Sequence, residues 1–293
     1  MRHAFLITAY NNFDNLNRLL ELLDDTRNVI FLHIDSKAET PAGIRETTKA
    51  KLIRVPSMNI RWGHVSQIEC TLHLLCCALQ QDWDYCHCIT ESDMPLKTMD
   101  EMDQIFTNAK DLEFVDFAPG NYEFARYKCD VYHLFAGFNT YRTSKLLKCL
   151  NHSLAKLQWH LGIRRNRKDY RHGSAYFSIT QAFARYLCAR RDDVLREYRY
   201  TIGADEVWLQ TLCAASPFIT KVANFEEEHT GNLRYIDWSR RVGNSPHTFT
   251  VEDLDDLISK VNDTPLCFAR KFSADSPAAK KLAEYLDTRR NLP

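Results

Sequence analysis

The sequence predicts an α/β fold, a mostly parallel sheet flanked by helices in a single domain spanning 1–293. Three observations carry this. Apolar runs of strand length alternate with stretches whose apolar residues recur at helical spacing. The first two runs flank one helix, a βαβ unit that requires parallel strands. Several runs stop abruptly at carboxylates, as buried strands do when they open onto a ligand-bearing edge.

In chain order, Ala4 to Tyr10 reads as a buried strand. Asn11-Asn12 is a turn, and Asp14 is expected to cap a helix with Leu16, Leu19, Leu20 and Leu23 on one face. Val29 to Asp35 is a second strand and Lys51 to Val55 a third. Ile68, Leu72, Leu75 and Leu79 hold helical spacing. Tyr85 to Thr90 is a strand poor in charge, followed by Glu91-Ser92-Asp93 and then by Pro95, which breaks the pattern. Glu113 to Phe117 is another strand, and residues 119 to 172 show no clear period. Ser174 to Ile179 is a strand leading into a helix to about Arg190, and Asp205 to Leu212 looks helical. After a polar stretch, Glu226 to Asn244, a helix-strand-helix unit from Thr250 to Arg289 closes the chain.

The chain of 293 residues carries 38 basic and 38 acidic side chains. No overall field favours nucleic acid, so any anion site must be local. No apolar run approaches the roughly 20 residues that cross a bilayer. Met1-Arg2-His3-Ala4 enters a strand at once without a signal-peptide layout, so a cytoplasmic protein is expected. The ten cysteines fit reduced thiols. Cys86-His87-Cys88 suggests a metal fragment, but no second Cys/His pair stands at zinc spacing, and buried thiols are the expectation.

Asp35 and Asp93 are expected at strand ends on one sheet edge, either meeting a ligand or capping turns. Glu91-Ser92-Asp93 has the spacing of a divalent-cation pair. Asp253-Leu254-Asp255 shares it, but Thr250 three residues earlier makes a capping arrangement the better reading. Asp205-Glu206 opens a helix, so these acids either serve the helix dipole or supply a general base. Arg270-Lys271 closes an apolar strand and either clamps a diphosphate or is solvated. The run of Arg164, Arg165, Arg167, Lys168 and Arg171 reads as a solvated loop or a contact with anionic lipid.

Taken together, these pieces resemble the core 2/I-branching β-1,6-N-acetylglucosaminyltransferase family, which includes the peptide O-xylosyltransferases. The likeness runs through Phe31-Leu32-His33-Ile34-Asp35, Trp62-Gly63-His64-Val65-Ser66 and Ser92-Asp93-Met94-Pro95-Leu96-Lys97. It continues in Gly173-Ser174-Ala175-Tyr176-Phe177, Ala204-Asp205-Glu206 and Arg234-Tyr235-Ile236-Asp237-Trp238. Ser245-Pro246-His247-Thr248 and Leu266 to Phe272 complete it, and the order of the motifs makes the likeness specific.

The resemblance implies a GT-A type, Rossmann-like sheet and an inverting transferase that takes a sugar from a UDP-sugar without a metal. It implies no cofactor, since the UDP-sugar is a substrate. Glu206 matches the general base, and Lys271, with Arg270 beside it, the cation on the diphosphate. Asp35 matches a donor contact, joined by Thr8 and Tyr10 at the end of the first strand. His247, Arg240 or Arg241 would supply a second cation. Trp62, Asp93, Arg126 with the adjoining Tyr127 and Lys128, Tyr176, Asp205 and Trp238 are expected around the acceptor. N-acetylglucosamine is the leading donor sugar and xylose the runner-up; a metal-dependent sugar-nucleotide enzyme using Glu91 and Asp93 is the rival. The expected acceptor is a glycan or lipid-linked saccharide, with peripheral membrane contact through Arg164 to Arg171.

Overall fold

The computed structural model describes residues 1–39, 43–118, 120, 122–223 and 231–290. The chain opens with β1 (His3–Ala9), α1 (Phe13–Leu22), β2 (Asn28–Ile34) and β3 (Lys51–Arg54). Next come α2 (Ser66–Ala78), β4 (Tyr85–Thr90), β5 (Asp93–Pro95), α3 (Met99–Asn108) and β6 (Phe114–Val115). The middle holds α4 (Tyr122–Cys129), α5 (Lys145–His160), β7 (Phe177–Thr180), α6 (Gln181–Cys188), α7 (Arg191–Tyr198) and α8 (Trp208–Ala214). The chain ends with β8 (Arg234–Ile236), α9 (Leu254–Asp263), β9 (Phe268–Arg270) and α10 (Pro277–Arg290).

Six strands form one sheet in the order β3-β2-β1-β4-β7-β6. The first four are mutually parallel, and β7 runs antiparallel to both β4 and β6. Both faces of β1 are covered, so its apolar run is unbroken. Ala4 and Leu6 face Ile68, Leu72 and Leu75 of α2. Phe5 and Ile7 face Leu16, Leu19 and Leu20 of α1 and Met102 and Phe106 of α3.

The same alternation settles Cys86-His87-Cys88. The two thiols lie in the α2 layer. His87 points the opposite way, its Nδ1 2.8 Å from Ser178 Oγ and its Nε2 3.0 Å from His3 Nδ1. The three side chains therefore cannot converge on one ion.

A second sheet, β5-β9-β8, was not expected. Pro95 ends its edge strand rather than breaking a helix or turn, a place where a missing N–H costs nothing. Buried Arg234 ties the two sheets together. Its guanidinium donates to Ser178 Oγ at 2.8 Å and to the carbonyls of Phe177 at 2.6 Å and Cys88 at 3.3 Å.

Other boundaries differ from expectation for local reasons. The first helix starts at Phe13, and Asn12, not Asp14, is the residue before it. The Asn12 amide reaches away to Phe272 O at 3.2 Å and ties the helix to the strand end of β9. Residues 119 to 172 contain α4 and α5. Asp205 and Glu206 lie in a short turn, Ala204–Glu206, ahead of α8.

Candidate active site

The C-terminal ends of β1, β2 and β4 share one edge, and Thr8, Tyr10, Asp35 and Asp93 lie at or just beyond it. Asp35 follows β2 and is buried. Lys37 grips both of its oxygens at 2.7 Å, and the Ile60 N–H adds a bond at 3.3 Å. Lys37 also donates to Asn59 Oδ1 at 3.2 Å and Ile60 O at 2.5 Å, so one lysine fastens the strand end to the 59–64 loop. It stands 5.8 Å from the Tyr10 ring, which is half exposed. Thr8 lies in β1 two residues before Tyr10, its carbonyl accepting from Glu91 N at 3.2 Å.

After β4 the chain folds over its own carboxylates. Asp93 Oδ2 accepts from Thr90 N at 2.6 Å, and Oδ1 pairs with Arg270 at 2.8 Å, directly across the β5–β9 ladder. Arg270 also donates to Thr90 Oγ1 at 2.6 Å, and its guanidinium lies 4.5 Å from the centre of the Tyr176 ring. Glu91 takes the Tyr10 N–H at 3.2 Å, and burial pushes its carboxyl up. Both carboxylates are thus engaged by N–H donors. Among the described residues, no group of three or more His, Cys, Asp or Glu side chains could hold a metal ion.

Lys271, next to Arg270, is different. Among the described residues no carboxylate lies within ion-pair distance of its ammonium. Burial, then Arg270 and Arg142, push its pKa down. A cation crowded by cations and partly desolvated is a site that gains from an anion. Its backbone is fixed on both sides, because Lys271 O accepts from Phe249 N at 2.9 Å and Phe272 N donates to Ser92 O at 2.9 Å.

The second carboxylate pair hangs on the opposite wall. Gly203 takes a left-handed turn (φ 57°) so that its N–H reaches Gly63 O at 2.8 Å, setting Asp205 and Glu206 beside the Trp62-Gly63 loop. Gln67 of α2 donates to Asp205 at 3.2 Å. Gly173 passes so close to Asp116 that a Cβ would stand 1.9 Å from its carbonyl oxygen, and its N–H donates to Glu206 O at 2.9 Å. Glu206 Oε2 meets Lys128 Nζ of α4 at 2.6 Å and His172 Nε2 at 3.4 Å. Burial alone would raise the Glu206 pKa; the bond to His172 and the charge and bond of Lys128 outweigh it, and the carboxylate is held ionised. Its neighbour Asp205 is pushed up, by burial first and then by Glu206 itself. The Glu206 side chain nevertheless remains 40% exposed, open to an incoming molecule.

The remaining candidates divide. Trp62 is half exposed on the rim, with Arg142 5.8 Å over its ring. Trp238 is partly exposed, in the wall of an open recess of about 670 Å³ with Asp237 and Arg240. Arg240 is committed to Asp237 and Asp253, each at 2.6 Å, and His247 to Asp253 at 2.9 Å. Asp253 also completes the expected capping box with Thr250. Arg241 is exposed and has no ion pair among the described residues. Arg126 lies 3.9 Å from Asp130 on the outer side of α4. In the basic run Arg164 and Arg165 are bonded to backbone carbonyls, while Arg167 and Lys168 are exposed. Arg164 stacks on Trp159 at 3.7 Å, Arg165 donates to Cys129 O and Glu197 O, and Lys168 and Arg171 pair with Glu197 and Asp169.

Lys37 and His172 lie beyond the sequence-derived set and complete the geometry. Lys37 stands two positions after a strand-ending aspartate, a signal that was readable. Lys128 and His172 converge on Glu206 only through the fold, 78 residues away in the case of Lys128.

A parallel sheet with a carboxylate-lined C-terminal edge, extended by antiparallel strands and a small second sheet, defines a GT-A-like α/β fold of the glycosyltransferase kind. The Core-2/I-Branching enzyme family matches residues 3–259, and the chain belongs to that family. It is 23% identical to xylosyltransferase 1 of Mus musculus over 94% of this chain and 29% of the relative. It is 24% identical to xylosyltransferase oxt of Drosophila melanogaster over 93% of this chain and 32% of the relative. With beta-glucuronosyltransferase GlcAT14A of Arabidopsis thaliana the identity is 25%, over 97% of this chain and 64% of the relative. The chain therefore spans less than two thirds of each. Among the described residues no helix is long and apolar enough to cross a membrane.

Proposed function

We propose that this protein is an inverting, metal-independent glycosyltransferase that moves a sugar from a UDP-sugar to a hydroxyl of a glycan or lipid-linked acceptor. The observation that carries the reading is Glu206, an ionised, half-open carboxylate held by Lys128 at 2.6 Å, together with Lys271, which has no ion-pair partner among the described residues. In this reaction the acceptor oxygen attacks the anomeric carbon as the bond from that carbon to the β-phosphate oxygen breaks. The electron pair leaves with UDP, the proton passes to Glu206, and an α-linked donor gives a β-glycoside. A low-pKa carboxylate suits late proton transfer, since the hydroxyl becomes strongly acidic only as its new bond forms. Lys271, with its charge unspent, meets the developing negative charge on the diphosphate.

Asp35 with Lys37, beside Thr8 and Tyr10, suits the nucleotide half of the donor. Trp62 and Asp205 suit the acceptor. Arg270 serves the pocket by holding Asp93 and the floor on which Tyr176 rests, and its neighbour Lys271 carries the phosphate charge. N-acetylglucosamine is the donor sugar we favour. Xylose is the second reading, supported by the names of two relatives. The test is a screen of UDP-N-acetylglucosamine, UDP-xylose and UDP-glucuronic acid by calorimetry, followed by UDP release in EDTA. Binding of one UDP-sugar with turnover intact in EDTA is expected. Loss of turnover in EDTA, restored by a divalent cation, would overturn metal independence.

A further inference from the structure

Between Val131 and Lys168 the chain carries eight Lys and Arg residues and no Asp or Glu, although the whole protein is neutral. This segment contains α5. The helix turns Asn151, Ala155 and Gln158 inward, with Asn151 bonded to His133 Nδ1 at 2.9 Å and Gln158 to the backbone of Tyr132. Its outer face is apolar. Leu146, Leu150 and Leu157, with Leu161 at the helix end, fall on one stripe and are 68%, 45%, 54% and 65% exposed. Lys145 and Lys156 border that stripe on one side, both exposed and without an ion-pair partner among the described residues. Ile163 extends the stripe past the helix end.

We propose that the outer face of α5 is the surface by which this protein lies on an anionic lipid bilayer. A helix with an aliphatic stripe edged by lysines sinks that stripe to the acyl boundary while the ammonium groups meet lipid phosphates. The stripe is leucine and isoleucine, without the Trp, Tyr and Arg anchors that dominate protein–protein hot spots. A second copy docked by the same face would set two acid-free cationic segments against each other. Arg164 and Arg165 are committed to backbone carbonyls, so the apolar part of the contact falls to α5. Arg142, in the same segment, lies over the Trp62 ring and neighbours Lys271, so the cationic surface is continuous with the rim of the candidate site.

The test is cosedimentation of the full chain with phosphatidylcholine vesicles and with mixed phosphatidylcholine–phosphatidylglycerol vesicles. Binding to the anionic vesicles alone, weakened by salt, is expected. Lys145→Gln with Lys156→Gln should reduce partition about 25-fold, at roughly fivefold per charge removed. Leu150→Glu with Leu157→Glu should abolish it, while the melting temperature and UDP binding stay unchanged. Equal partition onto neutral vesicles, no partition at all, or indifference to the leucine changes would overturn the proposal. So would a dimer in sedimentation velocity that the leucine changes dissociate, with no vesicle binding.

Discussion

Two acidic pairs, one following β4 and one in the turn ahead of α8, differ in burial and in partners. Asp93 has a cation at 2.8 Å and Glu206 one at 2.6 Å. Asp93 is sealed in a β-ladder, with both oxygens spent on Arg270 and a backbone N–H. Among the described residues Glu206 takes no hydrogen bond on its second carboxylate oxygen, and its side chain is open to solvent. A closed, saturated carboxylate can only hold structure. An open one, kept ionised by a partner on one side, can receive a proton on the other. Exposure and bond saturation, rather than a carboxylate motif, therefore separate the structural acid from the chemical one.

The comparison breaks first at Glu206. Glu206→Gln should lower kcat by about 10²–10⁴-fold, with UDP affinity and melting temperature nearly unchanged; steady-state kinetics beside calorimetry reads both. Asp93→Asn should do the reverse. It leaves Arg270, partly buried, without its carboxylate, a loss of about 1.5–3 kcal/mol in stability, measured by denaturant unfolding. Lys271→Ala should weaken UDP by about tenfold or more, in line with a charge-assisted contact of about 1.5–3 kcal/mol, and leave uridine little changed. Equal weakening of both would remove the phosphate role.

The last prediction is a pH dependence. Burial lowers His3 and His133 from 6.5 to about 4. A folded pKa below the unfolded one means the unfolded chain takes protons first as pH falls. Stability from these groups is complete above about pH 6.5 and drains away toward about 4, by at most about 1.4 kcal/mol per unit for each. Melting temperatures across that window check it; a flat profile would show that neither histidine is buried neutral.

Much of the fold was legible because local pattern and burial agree. Tyr85 to Thr90 is a charge-poor run and β4 spans those same residues. The βαβ start was readable from Leu16, Leu19 and Leu20 between two apolar runs. The second sheet was not, because β5 and β9 are three residues each and pair across some 175 positions. Nor was α5, whose outward leucines erase the polar face that marks a helix. At the candidate site, residue types at strand ends were visible. Their states were not, since the partners of Asp93 and Glu206 come from distant segments.

The most direct test of the central claim is the anomeric configuration of the first product formed from an α-linked UDP-sugar, followed by proton NMR during turnover. A single displacement assisted by Glu206 predicts the β-anomer. An α-linked product would contradict it, since retention requires a covalent or front-face route in which Glu206 is not the base.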